Sequence, residues 1–418
     1  MSSASTPGGP DEMSGGKVAD DPYRHALRFI LLVGAVSLFA DMTYEGARSI
    51  TGPYLAMLGA SATAVGFVAG FGELIGYAVR LASGYLSDRT GRYWAVTIFG
   101  YCVNLLAVPL LALAGSWEAA AVLIVLERMG RAIRTPARDA MLSHAAGHTG
   151  LGWGFGLHEA LDQTGAVLGP LALGAVLYFG GDYRVGFAVL LIPALLALSV
   201  LLAARLLYPR PRDFELSGPA LEGRGLPRSF WVYLAAVALI AAGYADFPLI
   251  AYHFGKAEVI APAWIPVLYA VAMATDAIAA LALGRLFDRI GLTTMVLATI
   301  GSLLAAPLAF LGGPMAAVAG MALWGVGMGA QESVMRAAIA QIAPAERRGT
   351  AYGVFNALYG AAWFAGSVLL GVLYDSSVPT LVAASMLLQA ASLPVLLWLV
   401  RSNTRTPRHR SLHRRRES

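Results

Sequence analysis

The sequence has one cysteine and few charges. Cys102 stands alone in an apolar run, so it cannot form an intramolecular disulfide, and it gives no metal site. Only 13% of the 418 residues are charged, whereas 57% are hydrophobic, and the mean hydropathy is +0.64. This balance excludes an ordinary soluble domain and is typical of a multi-pass membrane protein.

Lysine is almost absent. It occurs only at Lys17 and Lys256, while Arg, Ala and Gly are abundant, which indicates a high-GC bacterial genome. The chain also lacks a phosphate-binding G-x-x-x-x-G-K-[ST] loop, because Lys17 is followed by Val18. It offers no nucleophile–base set and no metal-ligand spacing. We therefore expect a protein without a cofactor or metal that is neither an enzyme nor an ATP-driven pump.

Both ends of the chain are polar. Residues 1–26 are rich in Gly, Ser and Pro and lack the apolar core of a signal peptide, which predicts a disordered cytoplasmic tail. Residues 401–418 carry seven Arg directly after the last apolar run. In that place a basic tail favours a topology signal or a contact with anionic lipid over nucleic-acid binding. We expect no nucleic-acid partner.

Twelve apolar runs are long enough to cross a bilayer, which needs about 20 residues per helix. They lie near residues 27–50, 61–86, 93–115, 118–145, 151–179, 184–207, 229–253, 263–286, 293–312, 314–341, 349–374 and 378–400. If the N-terminus is cytoplasmic, the outer loops receive only Arg184 and Lys256 as basic residues. The sequence therefore predicts an all-α multi-pass protein of the plasma (inner) membrane, with twelve transmembrane helices and both termini cytoplasmic.

The chain divides into two similar halves. Residues 208–228 contain Pro, Gly and charges and predict a cytoplasmic linker between residues 27–207 and 229–400, each with six runs. GYLSDRTGR at 84–92 is matched by GRLFDRIG at 284–291. The repeat predicts two pseudo-symmetric six-helix bundles, with a binding site at the membrane midplane between them.

The runs, the linker and the repeated loop together resemble the major facilitator superfamily over residues 25–400. GYLSDRTGR fits the superfamily's loop signature G-x-L-x-D-R-x-G-R at every specified position, and GRLFDRIG is a weaker copy. The resemblance implies that these loops gate the cytoplasmic side, with an exposed salt bridge as the alternative for Asp88 and Arg92. The gating candidates are Gly84, Asp88, Arg89, Gly91, Arg92, Gly284, Asp288 and Arg289.

A narrower resemblance involves ERMGRAIRTPARDA (127–140) and GFGLHEALDQTGAVLGP (154–170). Both segments are similar to those of an uncharacterised prokaryotic subgroup of the superfamily, but Glu159 stands where a basic residue is common. GAVLGP is also similar to an antiporter signature of the fifth helix. Gly165 and Gly169 form a small-xxx-small face and Pro170 allows a kink, so close helix packing is the alternative to a coupling role.

The apolar runs contain many ionisable residues. A charge at mid-bilayer costs about 2.5–3.5 kcal/mol, so such groups usually face a cavity or a partner. The candidates for proton coupling or for a substrate cavity are Asp41, Glu45, Glu73, Glu127, Arg128, Arg131, His158, Glu159, Asp162, Asp246, Asp276, Glu332 and Arg336.

Simpler roles compete with these assignments. For Asp41 the alternative to proton coupling is a permanent structural pair. Arg48 fits an anchor at the membrane surface or a local pair with Glu45. Arg134 and Arg138 fit anchors at the cytoplasmic end that pair with acids nearby. Two i, i+4 spacings, Glu127 with Arg131 and Glu332 with Arg336, predict ion pairs along one helix.

The function we expect is secondary active transport by alternating access. The antiporter-like GAVLGP favours proton-coupled export of small drug-like or amphiphilic compounds, while the arginines of the fourth run favour a proton-coupled transporter of an anionic metabolite. A non-transporting membrane receptor on the same fold is a third alternative. The expected partners are a small-molecule substrate, protons and the lipid bilayer, and we expect a monomer.

Overall fold

The structure is a computed structural model, and it describes residues 22–149, 151–209, 225–343 and 348–404. Nearly all of these residues are helical, and no strand occurs among them. Most of the predicted tails and linker lie outside the described residues, so their assignment stays a prediction. The first helix begins at Pro22, inside the predicted N-terminal tail.

The described ranges contain twelve helices of membrane-spanning length, which confirms the predicted fold class. In chain order they are α1 (Pro22–Met57), α2 (Ala62–Thr90), α3 (Tyr93–Leu110, with a 3-10 turn Leu111–Leu113), α4 (Trp117–Thr149), α5 (Leu151–Tyr178), α6 (Tyr183–Val189 and Leu191–Leu207), α7 (Arg228–Gly243 and Phe247–Lys256), α8 (Ile265–Ile290), α9 (Thr293–Ser302 and Ala305–Leu311), α10 (Pro314–Gly329, a π turn Ala330–Val334, and Met335–Ile342), α11 (Arg348–Ser376) and α12 (Val378–Thr404). Ten of them have the length and hydropathy of a membrane span; the other two are α4 and α10, which carry charges in their interior.

The helices form two bundles, α1–α6 and α7–α12, that pack on each other through α2 with α11, α5 with α8, and α1 with α7. The repeated loop places a glycine with positive φ directly after the equivalent helix of each bundle. Gly91 follows α2 (φ 65°, ψ 10°), in the left-handed region, and Gly291 follows α8 (φ 59°, ψ −139°). Glycine adopts a positive φ without strain. The repeat therefore terminates equivalent helices.

Helices α1 and α5 approach each other closely at two glycines. Gly165 lies against the carbonyl of Leu38 and Gly169 against the carbonyl of Met42, and a β-carbon at either position would overlap that oxygen. Small residues allow this approach of two membrane helices. The contact supports the packing interpretation of the small-xxx-small face.

We expect the substitution Gly169→Ala to lower the apparent melting temperature of the purified protein, because the added methyl group overlaps the backbone of α1 at a cost of about 1–3 kcal/mol. Gly156→Ala on the same helix is the control, because a β-carbon there meets no atom within 4 Å. Equal melting temperatures for the two variants in detergent would show that this contact is not tight.

Candidate functional site

A cavity of about 550 Å³ lies between the two bundles. Its walls come from α1, α2, α4 and α5 of the first bundle and from α8, α10 and α11 of the second. The cavity extends to Arg138 and Tyr352, near the end of the molecule that holds the α2–α3 loop; we call this the open end. Charged groups dominate its walls. A polar solute therefore fits the cavity better than an apolar one.

The opposite end, which holds the α1–α2 turn, is closed by contacts between the bundles, and we call it the shut end. The carboxylate of Asp375 on α11 accepts hydrogen bonds at the start of α2, from the Thr63 amide (2.8 Å) and hydroxyl (2.6 Å) and from the Ala62 amide (3.2 Å). An acid at a helix N-terminus satisfies free N–H groups and complements the helix dipole. Tyr252 on α7 also donates to the Ala60 carbonyl (3.3 Å).

We expect Asp375→Asn to shift the protein toward conformations that are open at the shut end, because the neutral amide binds the start of α2 more weakly. Spin labels can be placed at Met57 and Met315, which are both exposed, in a Cys102→Ser background. Double electron–electron resonance should then report longer distances between the two labels. Asp182→Asn is the matched control, since Asp182 accepts from the Val185 amide (2.8 Å) within a single bundle. Unchanged distances in Asp375→Asn would show that the contacts of Asp375 do not hold the shut end closed.

Glu45 on α1 is the most connected acid of the cavity. Its carboxylate accepts a hydrogen bond from the Tyr269 hydroxyl of α8 (2.5 Å) and lies 3.5 Å from the Arg131 guanidinium of α4. Arg48, one turn further along α1, is 3.9 Å away. The first contact joins the two bundles. Asp41, one turn before Glu45, accepts a short hydrogen bond from Tyr44, and Asp41, Glu45 and Arg48 all line the cavity.

Of the two expectations for Arg48, the anchor at the membrane surface is wrong, whereas the local pair with Glu45 is confirmed. Helix α1 continues to Met57, so Arg48 lies inside the bundle interface, where its side chain is only 11% exposed. One guanidinium nitrogen is 4.0 Å from Glu73 on α2 and 4.0 Å from Asp246 on α7. Arg48 therefore bridges acids of both bundles.

Asp246 occupies the break in α7, between Gly243 and Phe247. It is 2% exposed and accepts hydrogen bonds from the Trp363 indole (2.8 Å) and the Ser367 hydroxyl of α11. The break thus places a carboxylate at the bundle interface, where it faces Arg48.

The arginines of α4 have partners on other helices. Arg128 lies 3.1 Å from Glu73 and 3.3 Å from Glu127. Arg131 pairs with Glu45 and stacks on the Tyr44 ring at 4.2 Å. The expected Glu127–Arg131 pair is wrong, because Arg131 turns toward α1.

Arg134 and Arg138 differ in their surroundings. Arg138 forms the expected pair with Asp139 (2.8 Å) and also donates to Ser37 (3.2 Å), which is bonded to His158 (2.8 Å). Arg134 is not an anchor at the helix end. It is 1% exposed and stacks on the Tyr101 ring at 4.2 Å, and among the described side chains no acid lies within ion-pair distance of it.

Comparison with known proteins decides the family. The profile described as Major Facilitator Superfamily matches residues 31–367 and 229–417. An uncharacterized protein of Mycobacterium tuberculosis is 43% identical over 390 residues, which cover 92% of this chain and 95% of the relative. An uncharacterized MFS-type transporter of Methanocaldococcus jannaschii is 27% identical over 368 residues, covering 85% and 90%. The chain belongs to the Major Facilitator Superfamily.

A solved structure confirms the fold of this superfamily member. The crystal structure of a mutant of the peptide transporter POT superposes with a TM-score of 0.68 at 17% identity, covering 90% of this chain and 94% of the other. At that identity the likeness concerns the fold alone, and substrates vary widely on one fold. The chain is therefore a secondary transporter of the superfamily, and the chemistry of its own cavity must indicate what it carries.

Four further acids of the cavity, on α5, α8 and α10, have no ion-pair partner within 4.0 Å in the part of the chain that the structure describes. They are Glu159 and Asp162 on α5, Asp276 on α8 and Glu332 on α10. Asp276 is 2% exposed, and its Oδ1 atom lacks a hydrogen-bond partner. These residues also do not form a set with metal-binding geometry among the described residues.

The expected Glu332–Arg336 pair is wrong. Glu332 lies in the π turn Ala330–Val334, and a π turn changes the register that places residues i and i+4 on one face. Within the described chain the two side chains are not within ion-pair distance. Both line the central cavity and face it separately.

The predicted gating residues lie at the open end. Gly84 packs near Pro136, whereas a β-carbon at Gly284 would meet open space. Arg89 donates to the Tyr85 hydroxyl (3.1 Å), and Arg92, Asp288 and Arg289 are exposed. The side chain of Asp88 lies outside the described part of the structure. The gating role of this loop stays a prediction.

Sequence reasoning missed the aromatic partners of the buried charges. Tyr44, Tyr269 and Trp363 bond or stack with Asp41, Glu45, Arg131 or Asp246. They sit in apolar runs, where hydropathy counts them as lipid-facing or core residues. The one signal that could have found Tyr44 is its position one turn from Asp41 and next to Glu45.

Proposed function

We propose that the protein is a proton-coupled secondary transporter of a small hydrophilic solute that carries a negative charge. The observation that carries this proposal is the wall of the central cavity, which holds arginines from α1, α2, α4 and α10. Arg80 on α2 has no ion pair among the described residues, and its Nε atom lacks a hydrogen-bond partner. It is thus available to an anionic group of the solute.

The lining favours this substrate over a drug-like amphiphile, which was the first expectation. An amphiphile needs an extended apolar wall, because burial of apolar surface supplies most of its binding energy. The central cavity instead brings the charges of six helices together. The alternative expectation, an anionic metabolite, agrees better with these walls.

Asp41 is the residue that we assign to proton coupling. It is 3% exposed, lines the cavity and has no ion pair within 4.0 Å among the described residues. A buried unpaired charge is costly in a membrane, and proton binding removes that charge. The β-carbon of Asp41 also packs at Gly165 of the antiporter-like segment on α5. The resemblance of this GAVLGP segment to an antiporter signature supports proton antiport, and therefore export, as the direction.

We further propose that both termini are cytoplasmic, as the distribution of Arg predicts. The open end is then the cytoplasmic end, and the solute enters the cavity from the cytoplasm. The multi-pass protein resides in the plasma membrane of a bacterium in this proposal, and it works as a monomer.

The decisive experiment compares metabolites in cells and medium with and without the gene, by mass spectrometry. An anionic metabolite should accumulate outside the cells that express the protein. In proteoliposomes, that metabolite should drive proton movement in the opposite direction, seen with an internal pH dye.

We expect Asp41→Asn to abolish the proton movement, because the amide cannot bind and release a proton, whereas exchange of labelled for unlabelled solute should persist. Asp182→Asn is the control, because Asp182 caps α6 away from the cavity. Proton movement by Asp41→Asn at the rate of the unmodified protein would refute its coupling role. A gene-dependent metabolite that is cationic or amphiphilic would refute the substrate class.

A further inference from the structure

We propose that the solute is a zwitterion that spans the central cavity, with its anionic group at Arg80 and its cationic group at the acids of α5 and α8. This inference rests on the proposed transport of a negatively charged solute and adds a second, positive group to it. Its basis is the distribution of the charges that remain after the ion pairs of the protein are removed.

Most of the arginines near the membrane centre are neutralised by the protein itself. The pairs join Arg48 with Glu45 and Asp246, Arg131 with Glu45, Arg128 with Glu73 and Glu127, and Arg138 with Asp139. These groups need no ligand to balance their charge. They surround the cavity, and we expect the ligand to contact the charged residues that have no ion pair.

Three arginines of the cavity are left without an acid partner among the described residues: Arg80, Arg336 and Arg134, which stacks on the Tyr101 ring. Arg80 on α2 and Arg336 on α10 both line the cavity and are within electrostatic range of each other. Arg80 lies over the ring of Tyr77, 5.6 Å from its centroid. Two like charges that face each other across a cavity repel, and an anionic group between them would remove the repulsion.

The leftover acids come from α5, α8 and α10. Asp276 on α8 is within electrostatic range of Glu159 on α5 and of Glu332 on α10. The carboxylate atom of Asp276 that lacks a partner is almost fully buried. Such an orphaned acceptor is costly, and an ammonium group, with three donors, would satisfy it and its neighbours.

Arg80 and Asp276 lie on separate walls of one cavity, whereas Arg336 and Glu332 both belong to α10. Helix α2 packs on α4 and α11, whereas α5 packs on α1 and α8. On the wall that holds Arg80, the Tyr77 ring of α2 meets the Tyr359 ring of α11 edge to face at 5.9 Å. A solute that fills the cavity would therefore place an uncharged stem along these rings.

Neither a simple anion nor a simple cation satisfies both walls. An anion at Arg80 leaves Asp276 and its neighbours without a donor, and an amine at Asp276 leaves Arg80 unbalanced. A zwitterion satisfies both at once. The volume of about 550 Å³ is within the usual range for a small-molecule site and excludes a polymer.

The test uses the purified full-length protein and a defined panel of probes: ω-amino carboxylic acids of three to eight carbons, the matched carboxylic acids without the amine, and the matched amines without the carboxylate. Binding is measured by thermal shift and titrated to a dissociation constant. At least one amino acid of the panel should stabilise the protein, in a narrow window of chain length. Its matched carboxylate and amine should bind about tenfold more weakly or worse, because each lacks one charge-assisted contact.

Two cavity variants separate the ends of the solute. Arg80→Gln should weaken binding of the amino acid by about tenfold or more and leave binding of the matched amine unchanged. Asp276→Asn should weaken binding of the amino acid to a similar extent and leave binding of the matched carboxylate unchanged. Glu159→Gln, at an exposed part of the acid wall, replaces Asp276→Asn if that variant does not fold. The matched controls lie outside the cavity. They are Arg205→Gln, at an exposed position of α6, for the arginine variant and Asp182→Asn for the acid variants.

The outcomes distinguish this inference from the proposed function. Carboxylates that bind as well as the amino acids, with no effect of Asp276→Asn or Glu159→Gln, would overturn the zwitterion and leave anion transport intact. Amines that bind alone would overturn both. If no amino acid of the panel binds, the inference also fails, and the metabolite comparison then decides separately whether an anion is transported.

Discussion

Every charged group inside a membrane must find a counter-charge, a hydrogen bond or water, because an unpaired charge at mid-bilayer costs about 2.5–3.5 kcal/mol. Glu45 meets this constraint by accepting from Tyr269 and pairing with Arg131 and Arg48. Through these contacts one carboxylate ties α1 to α4 in its own bundle and to α8 in the other. The paired charges of the cavity therefore form a network across helices, and this network helps to position the helices.

The same constraint connects transport with movement of the bundles. The contacts Glu45–Tyr269 and Arg48–Asp246 cross the interface, whereas the pairs of α4 stay within the first bundle. Rocking of the bundles must separate the crossing contacts, and each separated group then needs another partner, because a buried group without one is costly. A bound solute and protons are the partners that a transporter can supply. A ligand shifts a conformational equilibrium only through such differential contacts.

Local signals predicted the helices of this protein, but they could not predict the partners across helices. Hydropathy and a repeated loop are properties of short segments, so the twelve runs and the two bundles followed from them. Arg48 was assigned to the membrane surface because its run was counted to residue 50, whereas α1 continues to Met57. Tyr269 follows Glu45 by more than 200 residues, and the register at Glu332 depends on a π turn that no simple pattern indicates.

The shut end obeys a different rule from the centre. There the bundles are held by the carboxylate of Asp375 at the start of α2, where acid and helix dipole interact by typically 0.3–1 kcal/mol when exposed, and by the Tyr252 hydroxyl on the Ala60 carbonyl. Contacts of this size hold a conformation without locking it. Alternating access requires two states of similar free energy, because a gap of about 5.5 kcal/mol already corresponds to a 10⁴-fold difference in population. The contacts at the shut end are weak, and the contacts that cross the centre are costly to separate. The solute and the protons in the cavity therefore determine which conformation is populated.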